Sequence, residues 1–159
     1  MSETGLQTRR ATLADAALIV SHRRAMFDAM AKADPAVLDE MTRNFEPWLL
    51  PHLADGRYTG WITTQDDLPI ASAGLLLLDW PPLPRDPVGS LRGYILNVYV
   101  EPEYRRRGLA RALTELCLND ARSRNIRVVT LHASEEGRSL YEGLGFKASN
   151  EMMFTVGDK

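Results

Sequence analysis

The residues that point most directly to chemistry form a short basic segment. It contains four arginines: Arg105, Arg106, Arg107 and Arg111. Guanidinium groups bind phosphate oxygens through charge-assisted hydrogen bonds. Gly108 lies among these arginines, and a residue without a side chain lets an anion approach the backbone closely. The segment therefore predicts a binding site for a polyanion such as a pyrophosphate.

The backbone around these arginines favours the same prediction. An apolar run ends at Pro102, and residues with helical spacing begin near Gly108. The first N–H groups of a helix have no partners within it, and the helix dipole is positive at that end. A solvated basic turn before an ordinary helix is the simpler alternative. The spacing Gly108-x-Ala110, placed between a strand and a helix, favours the anion site.

The overall charge limits the kinds of partner. The chain has 159 residues and a net charge of −2, so it lacks the broad basic surface of a general nucleic-acid binder. Neither a Walker A loop nor a GxGxxG fingerprint is present, which counts against nucleotide hydrolysis and dinucleotide binding. The longest apolar stretch, residues 71–78, is too short to span a bilayer. We therefore expect no nucleic-acid partner and no membrane partner.

Six strands and four helices are predicted to position this segment. The strands cover residues 7–10, 57–64, 70–78, 93–100, 127–133 and 152–156. The helices cover residues 12–33, 35–56, 108–125 and 135–144, and Thr12 with Asp15 forms a capping box at the first of them. Residues 79–92 contain four prolines and are predicted to form a long surface loop. The order predicts an α/β (α+β) fold with helices on both faces of a mixed sheet.

The segment from Asn97 to Arg111 resembles motif A of the GNAT N-acetyltransferase superfamily, whose signature is R/Q-x-x-G-x-G/A. Arg105, Gly108 and Ala110 occupy its three defined positions. The resemblance implies a mostly antiparallel sheet of about six to seven strands and acetyl-CoA as the co-substrate. It implies that the basic turn and the helix start bind the pyrophosphate, while a bulged strand holds the pantetheine and thioester. The residues implied to bind the coenzyme are Val98, Tyr99, Val100, Arg105, Arg106, Arg107, Gly108, Leu109, Ala110, Arg111, Ser134 and Tyr141.

A second segment has an ordinary structural interpretation and also a family resemblance. Ser134 is a good helix N-cap, and Gly145 suits the left-handed position after a helix, from which Phe146 can pack back. The ending L-Y-x-x-x-G-F is similar to GNAT motif B, although the family often has Asn and Ala where this chain has Ser134 and Gly137. In the family, the tyrosine at Tyr141 protonates the departing thiolate. The alternative is that Tyr141 is an ordinary core aromatic.

The reaction that this resemblance implies is acetyl transfer to a primary amine by direct attack in a ternary complex. The backbone N–H of Val98 would stabilise the oxyanion, and Glu101 is the candidate general base. Asn97 and Trp80 are candidate contacts for the acceptor, a small-molecule or peptide amine. Each has a simpler alternative: Asn97 would satisfy a bulge, Glu101 would be solvated, and Trp80 would pack within its loop. A GNAT-like module that senses acyl-CoA without turnover is the alternative function.

The remaining features place the protein in a general class. The chain is predicted to form a single domain over residues 1–159, and it shows no signal peptide. A single cysteine, Cys117, on an apolar helical stripe is expected to be buried and inert, which favours a cytoplasmic location. The three histidines, His22, His52 and His132, share no metal-ligand spacing, so no metal site is expected. A homodimer stays open.

Overall fold

A computed structural model describes residues 5–157 of the chain. Within that range it has five β-strands: β1 Leu6–Arg10, β2 Tyr58–Gln65, β3 Leu68–Asp79, β4 Leu91–Val100 and β5 Val129–Leu131. Its four α-helices are α1 Ala16–Met30, α2 Pro35–Asp55, α3 Leu109–Ser123 and α4 Arg138–Gly143. None of the helices within residues 5–157 has both the length and the apolar character that crossing a bilayer requires.

The five strands form one mixed sheet in the order β1-β2-β3-β4-β5. Antiparallel pairing joins the first four strands, whereas β5 runs parallel to β4. Two acidic residues with positive φ, Asp66 and Asp67, make the tight turn of the hairpin between β2 and β3. The sheet is therefore mostly antiparallel, and β5 forms one of its edges.

Apolar residues at alternate strand positions build a separate core on each face of the sheet. On one face, Leu113 and Cys117 of α3 pack against the sheet in a fully buried cluster. On the other face, Ile19 of α1 and Leu49 of α2 pack beside Tyr58. Since successive strand residues point to opposite faces, the two sides of β4 belong to different cores. The predicted arrangement of helices on both faces is confirmed.

The start of α1 is held by one carboxylate. Asp15 accepts a hydrogen bond from the Thr12 backbone N–H at 2.7 Å, as the predicted capping box requires. Both terminal nitrogens of Arg9 on β1 donate to the same carboxylate at 2.8 Å. The Arg9 guanidinium and the Thr12 N–H together lower the pKa of Asp15. This carboxylate therefore ties α1 to the edge strand.

The predicted sixth strand at residues 152–156 is wrong, and the expected six to seven strands are not confirmed. Residues 150–155 have no strand structure, and the apolar side chains of Met152, Met153, Phe154 and Val156 are 84–94% exposed. The reason lies in β5, which has only three residues and offers a further strand a very short edge. Within the described part of the segment, an ion pair from Arg92 to Glu151 at 3.1 Å ties it to β4.

The helix predicted from residue 135 begins later, and α4 has only six residues. The Ser134 hydroxyl accepts the Gly137 N–H at 3.1 Å, so Ser134 caps a turn before the helix instead of the helix itself. The predicted ending is confirmed. Gly145 has a φ of +99°, and the Phe146 N–H donates to the Tyr141 carbonyl at 3.0 Å.

Candidate active site

The site begins where β4 and β5 separate. Their parallel pairing covers only the positions from Gly93 to Ile95, opposite residues 129–131. Beyond Ile95, β4 continues for five residues to Val100, and β3 is its only strand neighbour there within residues 5–157. Within the described residues, the edge of β4 that faces away from β3 therefore has no strand partner beyond Ile95, and we call the space along this edge the cleft.

A β-bulge decides which backbone groups face this cleft. Asn97 has a φ of +56°, and the β3–β4 register shifts beside it. The Glu101 N–H donates to the Ile70 carbonyl on β3 at 2.8 Å. Because N–H directions alternate along a strand, the N–H groups of Val98 and Val100 point away from β3 and into the cleft. From this alternation we expect two donors on this edge, the N–H groups of Val98 and Val100.

The turn after β4 leads into the start of α3. Arg106 and Gly108 both have left-handed backbones, with φ values of +62° and +79°. The Ala112 N–H bonds the Gly108 carbonyl at 3.0 Å, so the N–H groups of residues 109–111 have no partner within the helix. A Cβ at Gly108 would meet nothing within 4 Å, which shows that this corner is open. The corner can therefore receive an anion at the positive end of a 15-residue helix.

The arginines of this turn differ in what they contact. Arg105 donates through Nε to the Val100 carbonyl at 3.0 Å, which fastens the turn to the end of β4. Arg107 donates to the Glu103 carbonyl at 3.2 Å and lies over the Tyr104 ring. Arg111 lies 3.5 Å from Glu115 one helical turn later. Arg106 makes no side-chain hydrogen bond to any residue in the 5–157 range, so its guanidinium is free to bind a ligand.

Tyr141 projects from α4 beside α3. Its ring packs edge-on to Phe146, with centroids 5.9 Å apart. Burial raises the pKa of Tyr141, with a further contribution from the neighbouring Cys117. The phenol hydroxyl has no hydrogen-bond partner in the described part of the chain. Tyr141 is therefore a partly buried phenol that stays protonated at neutral pH and has a proton to donate.

The opposite side of β4 carries a polar network. Asn97 donates to the Tyr58 hydroxyl at 3.0 Å and accepts from Arg23 of α1 at 2.6 Å. Tyr58 lies directly over Gly74 of β3, where a Cβ would come within 2.2 Å of the phenol oxygen. Burial raises the pKa of Tyr58 strongly, so this phenol is neutral. Asn97 therefore links the bulge to α1 and β2.

Glu101 lies at the end of β4 beside an aromatic pair. The Tyr99 hydroxyl donates to its carboxylate at 3.2 Å, and the Tyr99 ring lies 4.8 Å from the ring of His22. His22 is buried, and its Nδ1 contacts the Ser72 hydroxyl at 2.7 Å. Burial lowers the pKa of His22 and the nearby Glu101 opposes that shift. Glu101 is the partly exposed member of this group.

Trp80 and Asn97, the two candidate contacts for the acceptor, do not lie close together. Its ring lies under Arg92, with the guanidinium carbon 4.4 Å from the ring centroid. Arg92 and Asn97 are five residues apart on β4, a separation of about 16 Å along an extended strand. Trp80 therefore lies near the far end of β4 from the bulge.

Two further predictions concern the reactivity of the cysteine and the binding of a metal. Cys117 is fully buried, and burial raises the pKa of its thiol to about 12, so it is not a nucleophile at neutral pH. Within residues 5–157, no group of three or more His, Cys, Asp or Glu side chains is arranged to hold a metal ion.

The sequence-based reasoning missed Arg23 and Tyr58. Arg23 lies in the polar stretch Ser21–Arg24, which reads as an ordinary solvated helix face. Gly74 in the middle of an apolar strand was a usable signal, because an interior strand glycine often marks a close approach by another group. The group that approaches is the Tyr58 phenol, 16 residues earlier in the chain.

Comparisons with known proteins agree, over most of the chain, with the family that the sequence motifs resemble. A sequence model of the acetyltransferase (GNAT) family matches residues 23–146. The fold is similar to a GCN5-related N-acetyltransferase from Ralstonia eutropha JMP134, with 39% identity, a TM-score of 0.91, and coverage of 97% of this chain and 100% of that one. It is also similar to a predicted acetyltransferase from Clostridium acetobutylicum solved with acetyl-CoA, with 30% identity, a TM-score of 0.82, and coverage of 94% and 95%.

A curated relative, human N-acetyltransferase 8, is 27% identical over 99 residues, which are 60% of this chain and 41% of that protein. The matched part thus spans about two fifths of the length of that relative.

Proposed function

The chain belongs to the GNAT acetyltransferase family, and from this premise we propose that it transfers an acetyl group from acetyl-CoA to a primary amine. One observation carries the proposal. The cleft-facing N–H groups of Val98 and Val100 and the unpartnered N–H groups that open α3 lie at the two ends of one short turn. That arrangement offers donors to a thioester and to a pyrophosphate in the same ligand.

The residues of the corner fit the coenzyme. The open surface at Gly108 and the free guanidinium of Arg106 suit a doubly charged diphosphate. Arg105 holds the turn against β4 while part of its guanidinium stays available to the ligand. In this proposal acetyl-CoA is held by Val98, Tyr99, Val100, Arg105, Arg106, Arg107, Gly108, Leu109, Ala110, Arg111, Ser134 and Tyr141. The bound coenzyme supplies an activated acyl group.

Two donors of the protein then assist the transfer. The Val98 N–H donates to the acyl oxygen as negative charge develops on it, a contribution of about 3 kcal/mol for one such donor. The Tyr141 hydroxyl gives its proton to the departing sulfur. No covalent intermediate on the protein is required, since an amine can attack the acyl carbon directly when both substrates are held in line.

The acceptor amine approaches from the α1 side of β4. It must lose a proton, and Glu101 is our candidate to receive it, because its carboxylate lies at the strand end beside Tyr99. Asn97 borders this approach at the bulge. Trp80 is retained only as a contact for an acceptor long enough to reach the loop after β3.

The test is thiol release from acetyl-CoA across a panel of primary amines, with thermal denaturation in parallel. Acetyl-CoA at a hundredfold over its dissociation constant stabilises the folded state by about 2.7 kcal/mol. We expect a rise in melting temperature on the order of 5–10 °C and turnover with at least one class of amine. The absence of any thermal shift would contradict the proposal. Binding without turnover across the panel would favour an acyl-CoA sensor.

We also propose that the chain acts as one acetyltransferase domain that forms a homodimer. Four apolar side chains near the C-terminus, Met152, Met153, Phe154 and Val156, are 84–94% exposed, and a second copy would cover them. Light scattering coupled to size exclusion should give twice the mass of the chain. A monomer mass at micromolar concentration would contradict this part.

A further inference from the structure

Arg23 of α1 is a partly buried cation without a carboxylate partner. Within the described residues no Asp or Glu forms an ion pair with it, whereas its neighbour Arg24 pairs with both Asp28 and Asp39. A buried charge is costly unless it is paired, so a lone guanidinium at a site needs a physical explanation.

The surroundings of Arg23 leave part of its guanidinium unused. Nη1 donates to Asn97, and the flat group lies over the rings of Phe27 and Phe45, with centroids 5.0 Å and 4.8 Å away. Nε is buried and has no hydrogen-bond partner. Nη2 has none among residues 5–157 either, and it is not a fully buried atom. Donors are therefore left over on the acceptor side of the bulge.

Among residues 5–157, no negative charge neutralises this group. The nearby groups that act on its charge are the phenols of Tyr58 and Tyr94, and burial raises the pKa of both, so neither is ionised near neutral pH. Burial also lowers the pKa of Arg23, although an arginine remains charged across the physiological range. The positive charge is therefore available to a ligand.

Resting on the proposed function, we propose that the acceptor is an amine carrying its own anionic group, a carboxylate or a phosphate, and that Arg23 binds this group. The fixed planar donors of arginine match the oxygens of either anion. Arg23 donates to the side chain of Asn97, and Asn97 immediately precedes Val98, whose N–H faces the acyl group in the proposed mechanism. The amine and the anion of the acceptor are therefore separated by only a few bonds, as in an amino acid or a small phosphorylated amine.

The experiment compares acceptors in matched pairs at fixed acetyl-CoA. An amino acid is paired with its carboxamide, and phosphoethanolamine with ethanolamine, and kcat/KM is measured by thiol release. We expect one anionic member to exceed its neutral partner by roughly tenfold to a hundredfold, the worth of a charge-assisted hydrogen bond in a partly buried site. The pair that shows the difference identifies the anion.

Variants assign the preference to Arg23. Arg23→Gln should remove the preference through a rise in KM, Arg23→Lys should keep part of it, and Arg24→Gln, a change to the neighbouring arginine, should leave it intact. Melting temperatures show which variants are folded, and Arg23→Lys keeps the test valid if the glutamine variant unfolds. Equal use of charged and neutral partners by the wild type, or a preference that survives in both Arg23 variants, would overturn the proposal.

A failure of turnover can be distinguished from a failure of this inference. If no amine is acetylated, the same pairs are titrated calorimetrically against the protein with coenzyme A present. Tighter binding of the anionic member that is lost in Arg23→Gln supports the Arg23 site even though the proposed catalysis has failed. No binding difference within either pair overturns the Arg23 site.

Discussion

The two sides of β4 differ in how the chain assembles them. The proposed coenzyme-binding region, which we call the cofactor corner, is residues 97–111. It is continuous in sequence, and its proposed donors are backbone N–H groups at a bulge and a helix start. The proposed acceptor side consists of Arg23 from α1, Tyr58 from β2 and Asn97 from β4. A continuous backbone site can be recognised from a motif, whereas a site assembled from distant side chains requires the fold. The backbone of Asn97 forms part of the cofactor corner, and its side chain forms part of the acceptor side.

The largest expected effect tests the cofactor corner alone. Gly108→Asp places a carboxylate beside the bound phosphates and interferes with about two charge-assisted hydrogen bonds, so acetyl-CoA affinity should fall on the order of 1,000-fold. Gly56→Asp is the matched control, because Gly56 also has a left-handed backbone, with a φ of +82°, and open space around it. Both changes cost about 1–2 kcal/mol of backbone strain. Calorimetric titration should show normal affinity in the control, and equal losses in both variants would contradict the assignment.

The next effect concerns catalysis at the cleft beside β4. Tyr141→Phe should lower kcat on the order of 100-fold, with acetyl-CoA affinity and stability nearly unchanged, because the hydroxyl has no protein partner among the described residues. Tyr104→Phe, on the turn before α3, should leave kcat unchanged. Burial raises the pKa of Tyr141 above its ordinary 10.0, so the hydroxyl remains protonated as pH rises to that value. In the wild type, kcat should therefore not fall between about pH 7 and 10. Full activity in Tyr141→Phe would contradict the proposal that Tyr141 protonates the departing sulfur.

A smaller effect tests whether the two sides of β4 can be separated. Asn97→Gly keeps the positive φ of +56° while it removes the links to Arg23 and Tyr58. We expect kcat/KM for the acceptor to fall about tenfold, with the dissociation constant of acetyl-CoA within about twofold of wild type. Steady-state kinetics and calorimetry give the two values. A parallel loss of acetyl-CoA affinity would show that the side-chain network also supports the cofactor corner.

The smallest effect concerns the anchoring of α1, which carries Arg23. Asp15→Asn should lower the free energy of unfolding by about 1–2 kcal/mol, a modest figure since the Arg9 side chain is 52% exposed. The folded-state pKa of Asp15 is below the ordinary 3.8, so this stability is present above that pH and is lost as pH falls through the folded value. Acid unfolding of wild type and variant should therefore converge at low pH. A constant difference at all pH values would contradict the charge pairing.

Sequence patterns predicted most of the fold because the signals were local. Local sequence patterns located the first five strands, and the Thr12–Asp15 capping box marked the start of the first helical segment. The failure at residues 152–156 has the opposite cause. The strand-like composition there was real, but pairing depends on a neighbouring edge, and β5 is too short to provide it. A pattern within one segment does not indicate the length of the strand with which that segment would pair.

Part of the candidate site was also predictable from local sequence patterns, and part of it was not. The turn from Arg105 to Ala110 was predictable because its glycine spacing encodes a backbone conformation. The sequence did not indicate that Arg105 and Arg107 would bond to carbonyls of their own turn while Arg106 stays free. The sequence did not single out Arg23, because its lack of a carboxylate partner depends on side chains from α2 and β2 whose positions the sequence alone does not give.

The most direct test of the central claim is an amide NMR titration with acetyl-CoA. We expect the largest ¹H and ¹⁵N shifts at the cleft-facing Val98 and Val100 and at residues 108–111, the start of α3. Shifts concentrated elsewhere, for instance along the groove between α1 and α2, with these amides unmoved, would contradict that claim.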